Sequence, residues 1–131
     1  MITRHASCSC GQLRIETTGE PLRISVCHCL ACQRRTGSAF GVQARFARTN
    51  VAIEGRSSQY ERTGDSGQKA TFHFCPDCGS TVHYQTARFP DVIGIPVGAF
   101  ADPAFPAPAF SVYEARQHKW VALLGQIERV D

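Results

Sequence analysis

The sequence predicts a mostly β fold, and two observations lead to that prediction. Short segments of alternating or β-branched residues recur along the chain, separated by Gly and Pro. Seven cysteines fall into three short clusters, which is typical of small antiparallel sheets pinned by zinc. At 131 residues, the chain is expected to form a single zinc-binding domain over residues 1–131.

The clearest strand is predicted at residues 12–17, where Leu13 and Ile15 alternate with Arg14 and Glu16. The same kind of pattern predicts further strands at 22–26, 40–46, 59–62, 69–74, 81–85, 92–97 and 110–113.

Two segments are predicted to be helical, and one is predicted to be a stiff loop. Residues 29–36 are expected to form one or two helical turns, and residues 121–128 a short terminal helix. The proline-rich segment 100–110 is expected to form a loop that could rim a pocket. Trp120 is expected to lie in the core, since large aromatic residues are mostly buried.

Composition and charge argue against several function classes. Residues 1–10 have no apolar run of the kind found in signal peptides, and no stretch is long enough to span a membrane. We therefore expect a cytoplasmic protein, in which cysteines stay reduced unless they bind metal or do redox work. The formal charge of +3 treats the cysteines as neutral. Metal-bound thiolates would cancel it, so nucleic acid is an unlikely partner.

The cysteine pairs Cys8/Cys10 and Cys75/Cys78 predict a closed metal site. A CxxC turn directs two sulfurs at one ion, and an extended CxC segment directs two more from one face. Two alternatives stay open at this stage. The four residues could be buried thiols without a metal, or Cys75 and Cys78 could be a redox pair.

The cluster Cys27, Cys29 and Cys32 predicts an open site with three thiolates and one free position. Either His28 or His73 could close it and make the site structural. If the position is free, a small thiol could bind there as thiolate.

Arg34 and Arg35 follow the three-cysteine cluster directly. They are candidates for binding the carboxylates of such a thiol, although a solvated surface would explain them equally well. Iron instead of zinc is a further alternative, because sulfur ligands accept both metals.

Four motifs resemble the glutathione-dependent formaldehyde-activating enzyme family, also called the GFA or CENP-V domain family. They are CSCG at 8–11, CHCLACQ at 27–33, GSAF at 37–40 and FCPDCG at 74–79. The resemblance implies an Mss4-like fold and two zinc ions. The structural ion would be held by Cys8, Cys10, Cys75 and Cys78, and the second ion by Cys27, Cys29 and Cys32.

The resemblance also implies carbon–sulfur lyase activity, in which glutathione adds reversibly to formaldehyde to give S-(hydroxymethyl)glutathione. On this hypothesis Cys27, Cys29 and Cys32 hold the catalytic zinc, and His28 or an ordered water donates the proton. The rival hypothesis is a non-catalytic binding module with two structural zinc ions, which would contact protein or nucleic acid.

Overall fold

The computed structural model describes residues 1–131, and strands are its most common secondary structure. The strands are Thr3–Ser7 (β1), Arg14–Thr18 (β2), Arg23–Cys27 (β3), Gly41–Ala47 (β4), Val51–Glu54 (β5), Ser58–Thr63 (β6), Lys69–Phe74 (β7), Thr81–Thr86 (β8), Phe89–Pro96 (β9), Phe110–Val112 (β10) and Glu128–Arg129 (β11). The helices are the α-helix Leu30–Thr36 (α1) and three 3₁₀ turns at Arg48–Asn50, Val97–Phe100 and Glu114–Arg116. The predicted mostly β fold is confirmed.

The strands form two sheets. One is antiparallel, with the order β1-β2-β5, and the other has eight strands in the order β11-β10-β3-β4-β9-β8-β7-β6. The eight-stranded sheet has more strands than the small sheets that the sequence predicts, because β10 and β11 join it beside β3 in parallel pairs. No helix in the structure combines the length and apolar character that crossing a bilayer requires.

The hydrophobic core lies between the two sheets. Alternation along β2 buries Ile15 and Thr17 and exposes Arg14 and Glu16, as predicted for residues 12–17. The core residues come from both sheets and include one cysteine of the CxC pair and one of the CxxC pair: Ala6, Cys8, Leu13, Ile15, Ile24, Ala44, Phe46, Cys75, Val82, Ile93, Ile95 and Phe100. Alternation in β4 directs Gln43 and Arg45 to the opposite face of the large sheet.

Two predictions near the C-terminus are wrong, and a third is confirmed only in part. Residues 121–127 have no regular secondary structure and lead into β11. The chain is extended at β11 because it pairs with β10, and the amide of Val130 donates to the carbonyl oxygen of Ser111 at 2.8 Å. Trp120 is 75% exposed and lies outside the core. The predicted loop is present at 101–109, but no residue of 100–110 lines the pocket of the three-cysteine group. Instead, Phe100 and Phe105 pack together on the core at a ring-centroid distance of 4.7 Å.

Candidate metal centres and the pocket beside them

Cys8 and Cys10 lie in a tight turn between β1 and β2. The amide of Gly11 donates to the carbonyl oxygen of Cys8 at 3.2 Å, and Gly11 has a φ of 83°, a value that favours glycine. The predicted extended conformation of this pair is wrong. The two strands are antiparallel neighbours, so the chain has to reverse between them.

Cys75 and Cys78 lie in a similar turn between β7 and β8. The amide of Gly79 donates to the carbonyl oxygen of Cys75 at 2.8 Å. The amide of Asp77 points at the sulfur of Cys75, with a distance of 3.4 Å. The backbone amide of Ser80 is the main cause that lowers the pKa of Cys78 to about 5. These donors stabilise the thiolate form, which is the form that metal ions bind.

The two turns bring four sulfur atoms together. The Sγ of Cys10 lies 3.6 Å from that of Cys8 and 3.7 Å from that of Cys75, and all four Sγ atoms lie within 4.8 Å of one another. A disulfide would need about 2.0 Å. Sulfurs bonded at about 2.3 Å to one tetrahedral zinc ion would be roughly 3.8 Å apart. The group could therefore hold a metal ion, and its donors fit zinc.

This four-cysteine group is anchored in the core. Cys8 and Cys75 are buried, whereas Cys10 and Cys78 are exposed. The side-chain amide of Gln12 donates to the sulfur of Cys75 at 3.0 Å. Because one turn belongs to the small sheet and the other to the large sheet, an ion held here would connect the two sheets.

The second group, Cys27, Cys29 and Cys32, is built on a single loop and helix start. Cys27 is the last residue of β3, and the sulfur of Cys29 caps α1 by accepting the amide of Cys32 at 3.3 Å. The helix ends at Gly37, which has a left-handed φ of 66°. The helical turns predicted at 29–36 are present. The three sulfurs lie within 4.8 Å of one another and could hold a metal ion.

No histidine joins the three-cysteine group. His28 is fully buried, and its Nε2 lies 2.9 Å from the hydroxyl of Ser111. Burial is the main cause that lowers the pKa of His28. His73 stacks on His83 across β7 and β8, with a ring-centroid distance of 4.3 Å. A metal ion in this group would therefore have three protein ligands from the cysteines.

The pKa values of Cys27 and Cys29 are shifted in opposite directions. Hydrogen bonds from Cys27 and then from Cys32 lower the pKa of Cys29 to about 2, and the hydrogen bond with Cys29 is the main cause that raises the pKa of Cys27. Ionisation within this group therefore favours Cys29 over Cys27. Binding of a divalent ion would release protons from the other sulfurs.

The three-cysteine group opens into a pocket of about 480 Å³, within the range of small-molecule sites. Four arginines line it: Arg35, Arg45, Arg62 and Arg116. None of the four forms an ion pair with a carboxylate, and Asp65 is the only acidic residue in the lining. The pocket is therefore suited to an anionic ligand.

The two arginines predicted from the sequence are placed differently. Arg35 lines the pocket, lies 5.1 Å from the ring centroid of Phe72, and directs a guanidinium nitrogen to the sulfur of Cys32 at 3.9 Å. Arg34 is exposed and lies outside the lining. Adjacent helical residues point about 100° apart, since one turn takes about 3.6 residues. Only one of the pair can therefore face the pocket.

Sequence reasoning missed several residues of the pocket. Gln43 is buried, and its amide nitrogen lies 3.8 Å from the sulfur of Cys32. Arg45, Arg62, Tyr84 and Arg116 were missed as well, and they come from three strands and a 3₁₀ turn. A signal was present in β4, where polar residues alternate with the core residues Ala44 and Phe46.

The fold and the two cysteine groups define a β-rich protein with two candidate metal centres. The model of the family described as "Glutathione-dependent formaldehyde-activating enzyme" (GFA) matches residues 3–116. The matched segment is most of the chain and contains all seven cysteines. The chain belongs to the GFA family, as the four motifs indicated.

One solved structure supports the same fold. The chain is similar to a Rhodobacter sphaeroides protein whose crystal structure was determined as a structural genomics target, with 25% identity and a TM-score of 0.57. The similarity covers 72% of this chain and 85% of that one. No curated protein matches the chain.

Proposed function

We propose that this protein is a zinc-dependent carbon–sulfur lyase that adds a glutathione-like thiol reversibly to formaldehyde or a similar small aldehyde, giving S-(hydroxymethyl)glutathione. The observation that carries the proposal is the three-cysteine group that opens into a pocket with four unpaired arginines. Membership of the GFA family supports glutathione and formaldehyde as the substrates.

Zinc is the metal proposed for both cysteine groups. Four sulfurs from Cys8, Cys10, Cys75 and Cys78 fit a closed structural site, whereas three sulfurs at the second group fit a site that keeps one position for a ligand. When bound at the second group, the ion supplies positive charge that keeps a thiol deprotonated at neutral pH.

The arginines of the pocket are assigned to the carboxylates of the thiol. A guanidinium binds a carboxylate through two parallel hydrogen bonds, which fixes orientation as well as position. With its carboxylates held by residues such as Arg35 and Arg116, the substrate would direct its sulfur toward the cysteine group and the aldehyde beside it. Arg34 has no part in this proposal, because it lies outside the pocket.

The rival function, a two-zinc module that contacts protein or nucleic acid, requires a fourth protein ligand at the second site. The burial of His28 and its contact with Ser111 favour the enzyme over this module. A cytoplasmic location also belongs to the proposal. All seven cysteines are free thiols, and a reducing compartment keeps them so.

The test is exchange NMR on the zinc-loaded protein with glutathione and formaldehyde. We expect the adduct and its components to interconvert faster than in a matched sample without protein, in proportion to protein concentration. Exchange at the spontaneous rate, with two zinc ions bound and glutathione saturating, would contradict the proposal.

A further inference from the structure

Tyr84 is a buried ionisable residue of the pocket that takes no part in the thiol binding proposed above. It lies on β8, lines the pocket and is 8% exposed. Its ring stacks on that of Phe72 from β7, with a centroid distance of 5.4 Å and an interplanar angle of 27°. The stacking fixes one face of the tyrosine ring.

Gly94 fixes the other face. It lies on β9 directly opposite Tyr84. A Cβ atom at Gly94 would lie 2.2 Å from two ring carbons of Tyr84 and 2.7 Å from its hydroxyl oxygen. The ring therefore rests against the backbone at a position where any larger residue would displace it. Held between Phe72 and Gly94, the hydroxyl has a defined position in the pocket.

The charged groups around this hydroxyl suit a proton donor. Arg45 lies on β4 across from Gly94, and the guanidinium groups of Arg45 and Arg35 are the positive charges that act on the Tyr84 hydroxyl, with the sulfur of Cys32 as a further titratable neighbour. Burial is the main cause that raises the pKa of Tyr84, so the hydroxyl is protonated at neutral pH. The two guanidinium groups favour the phenolate that would form after donation.

We propose that Tyr84 is the catalytic acid that protonates the aldehyde oxygen, an inference that rests on the proposed function. As the thiolate sulfur of the substrate forms the C–S bond, the π electrons of the C=O bond move onto oxygen. That oxygen takes the proton of the Tyr84 hydroxyl. Arg45 stabilises the resulting phenolate, which regains a proton from water. An alkoxide is more basic than a phenolate, so the transfer is favourable.

The reverse reaction uses the same groups. The phenolate form of Tyr84 takes the proton from the hydroxyl of the adduct as the C–S bond breaks, and thiolate and aldehyde are released. Tyr84 thus takes the role that the sequence assigned to His28, whose Nε2 is occupied by Ser111.

The first experiment compares Tyr84→Phe with Tyr60→Phe. The first variant keeps the stacked ring and removes only the hydroxyl, so we expect exchange at saturating substrates to fall about 100-fold. The dissociation constant of glutathione should stay the same in both variants. Tyr60 is 62% exposed and outside the pocket lining, so its variant should keep the wild-type rate.

The outcomes separate the inference from the proposed function. If the wild-type protein does not accelerate exchange, the proposed function fails. If it does and Tyr84→Phe is as fast, only the role of Tyr84 is overturned.

A second measurement decides the question if Tyr84→Phe does not fold or loses zinc. With 3-fluorotyrosine at position 84, the ¹⁹F resonance should move when preformed adduct is added, and the rate–pH profile should shift toward lower pH. An unchanged resonance together with an unchanged profile would overturn the inference.

Discussion

The two cysteine groups use the same donor atom but are built differently. The four-cysteine group joins turns that are 65 residues apart in the sequence, whereas Cys27, Cys29 and Cys32 lie within six residues. Closing a long loop between two sheets links metal binding to the fold. A local group beside a pocket can change its ligands while the sheets stay in place. Sequence separation and ligand count therefore indicate that the four-cysteine group stabilises the fold and that the three-cysteine group binds the reacting thiol.

The largest expected effect is that of Cys75→Ser, which removes a buried member of the four-cysteine group. We expect the free energy of unfolding to fall by more than about 4 kcal/mol, because metal binding at this group is coupled to docking of the two sheets. Chemical denaturation with zinc analysis of the same samples measures it. A variant with wild-type stability that had lost one zinc would show that the comparison is wrong.

The second effect is that of Cys29→Ser, the matched change in the three-cysteine group. We expect thiol–aldehyde exchange to return to the spontaneous rate, because a serine hydroxyl is a much weaker zinc ligand than a thiolate. The circular dichroism spectrum should stay the same and the midpoint of unfolding should change little. Unfolding as severe as that of Cys75→Ser would mean that both groups are structural.

The third effect concerns binding of the thiol and uses adjacent arginines. Arg35→Met should weaken glutathione binding about 10-fold, which corresponds to about 1.4 kcal/mol and to the loss of one charge-assisted hydrogen bond. Arg34→Met removes the same charge outside the pocket and should leave binding unchanged. Titration calorimetry at two salt concentrations measures both. Equal effects of the two variants would indicate only a general attraction to positive charge.

The smallest effect lies away from both cysteine groups, at His83. Burial, followed by the charge of His73, lowers the pKa of His83 to about 4. The unfolded chain binds this proton more readily, so unfolding free energy should decrease as the pH falls from about 6.5 toward 4.

Between pH 7 and pH 5.5, this histidine should account for about 1 kcal/mol of lost stability. Denaturant unfolding of wild type and His83→Phe in saturating zinc measures the contribution of His83, because the two cysteine groups are the same in both proteins. Parallel pH dependences in the two proteins would assign the whole effect to the cysteine groups.

The sequence predicted what depends on local spacing. The division of seven cysteines into four and three, the helical turns at 29–36 and the alternation in β2 all follow from neighbouring residues, and the structure has each of them. The roles of the metal ions stay predictions that the variants above address.

The sequence did not predict what depends on strand pairing over long distances. Residues 121–128 contain Val, Leu and Ile at spacings that suit a helix, but their end pairs with β10 and leaves Trp120 exposed. Tyr84 and Arg45 reach the same pocket only because β9 lies between their strands. Gly94 has no local signal at all, since the ring that needs its space comes from a neighbouring strand.

The most direct test of the comparison is ¹¹³Cd NMR of the protein with cadmium in place of zinc, with and without glutathione. We expect two resonances, of which only one moves when the thiol is added. That resonance should be the one that is lost in Cys29→Ser. If glutathione changed the chemical shift of neither resonance, or of both, the assignment of one closed and one open site would be contradicted.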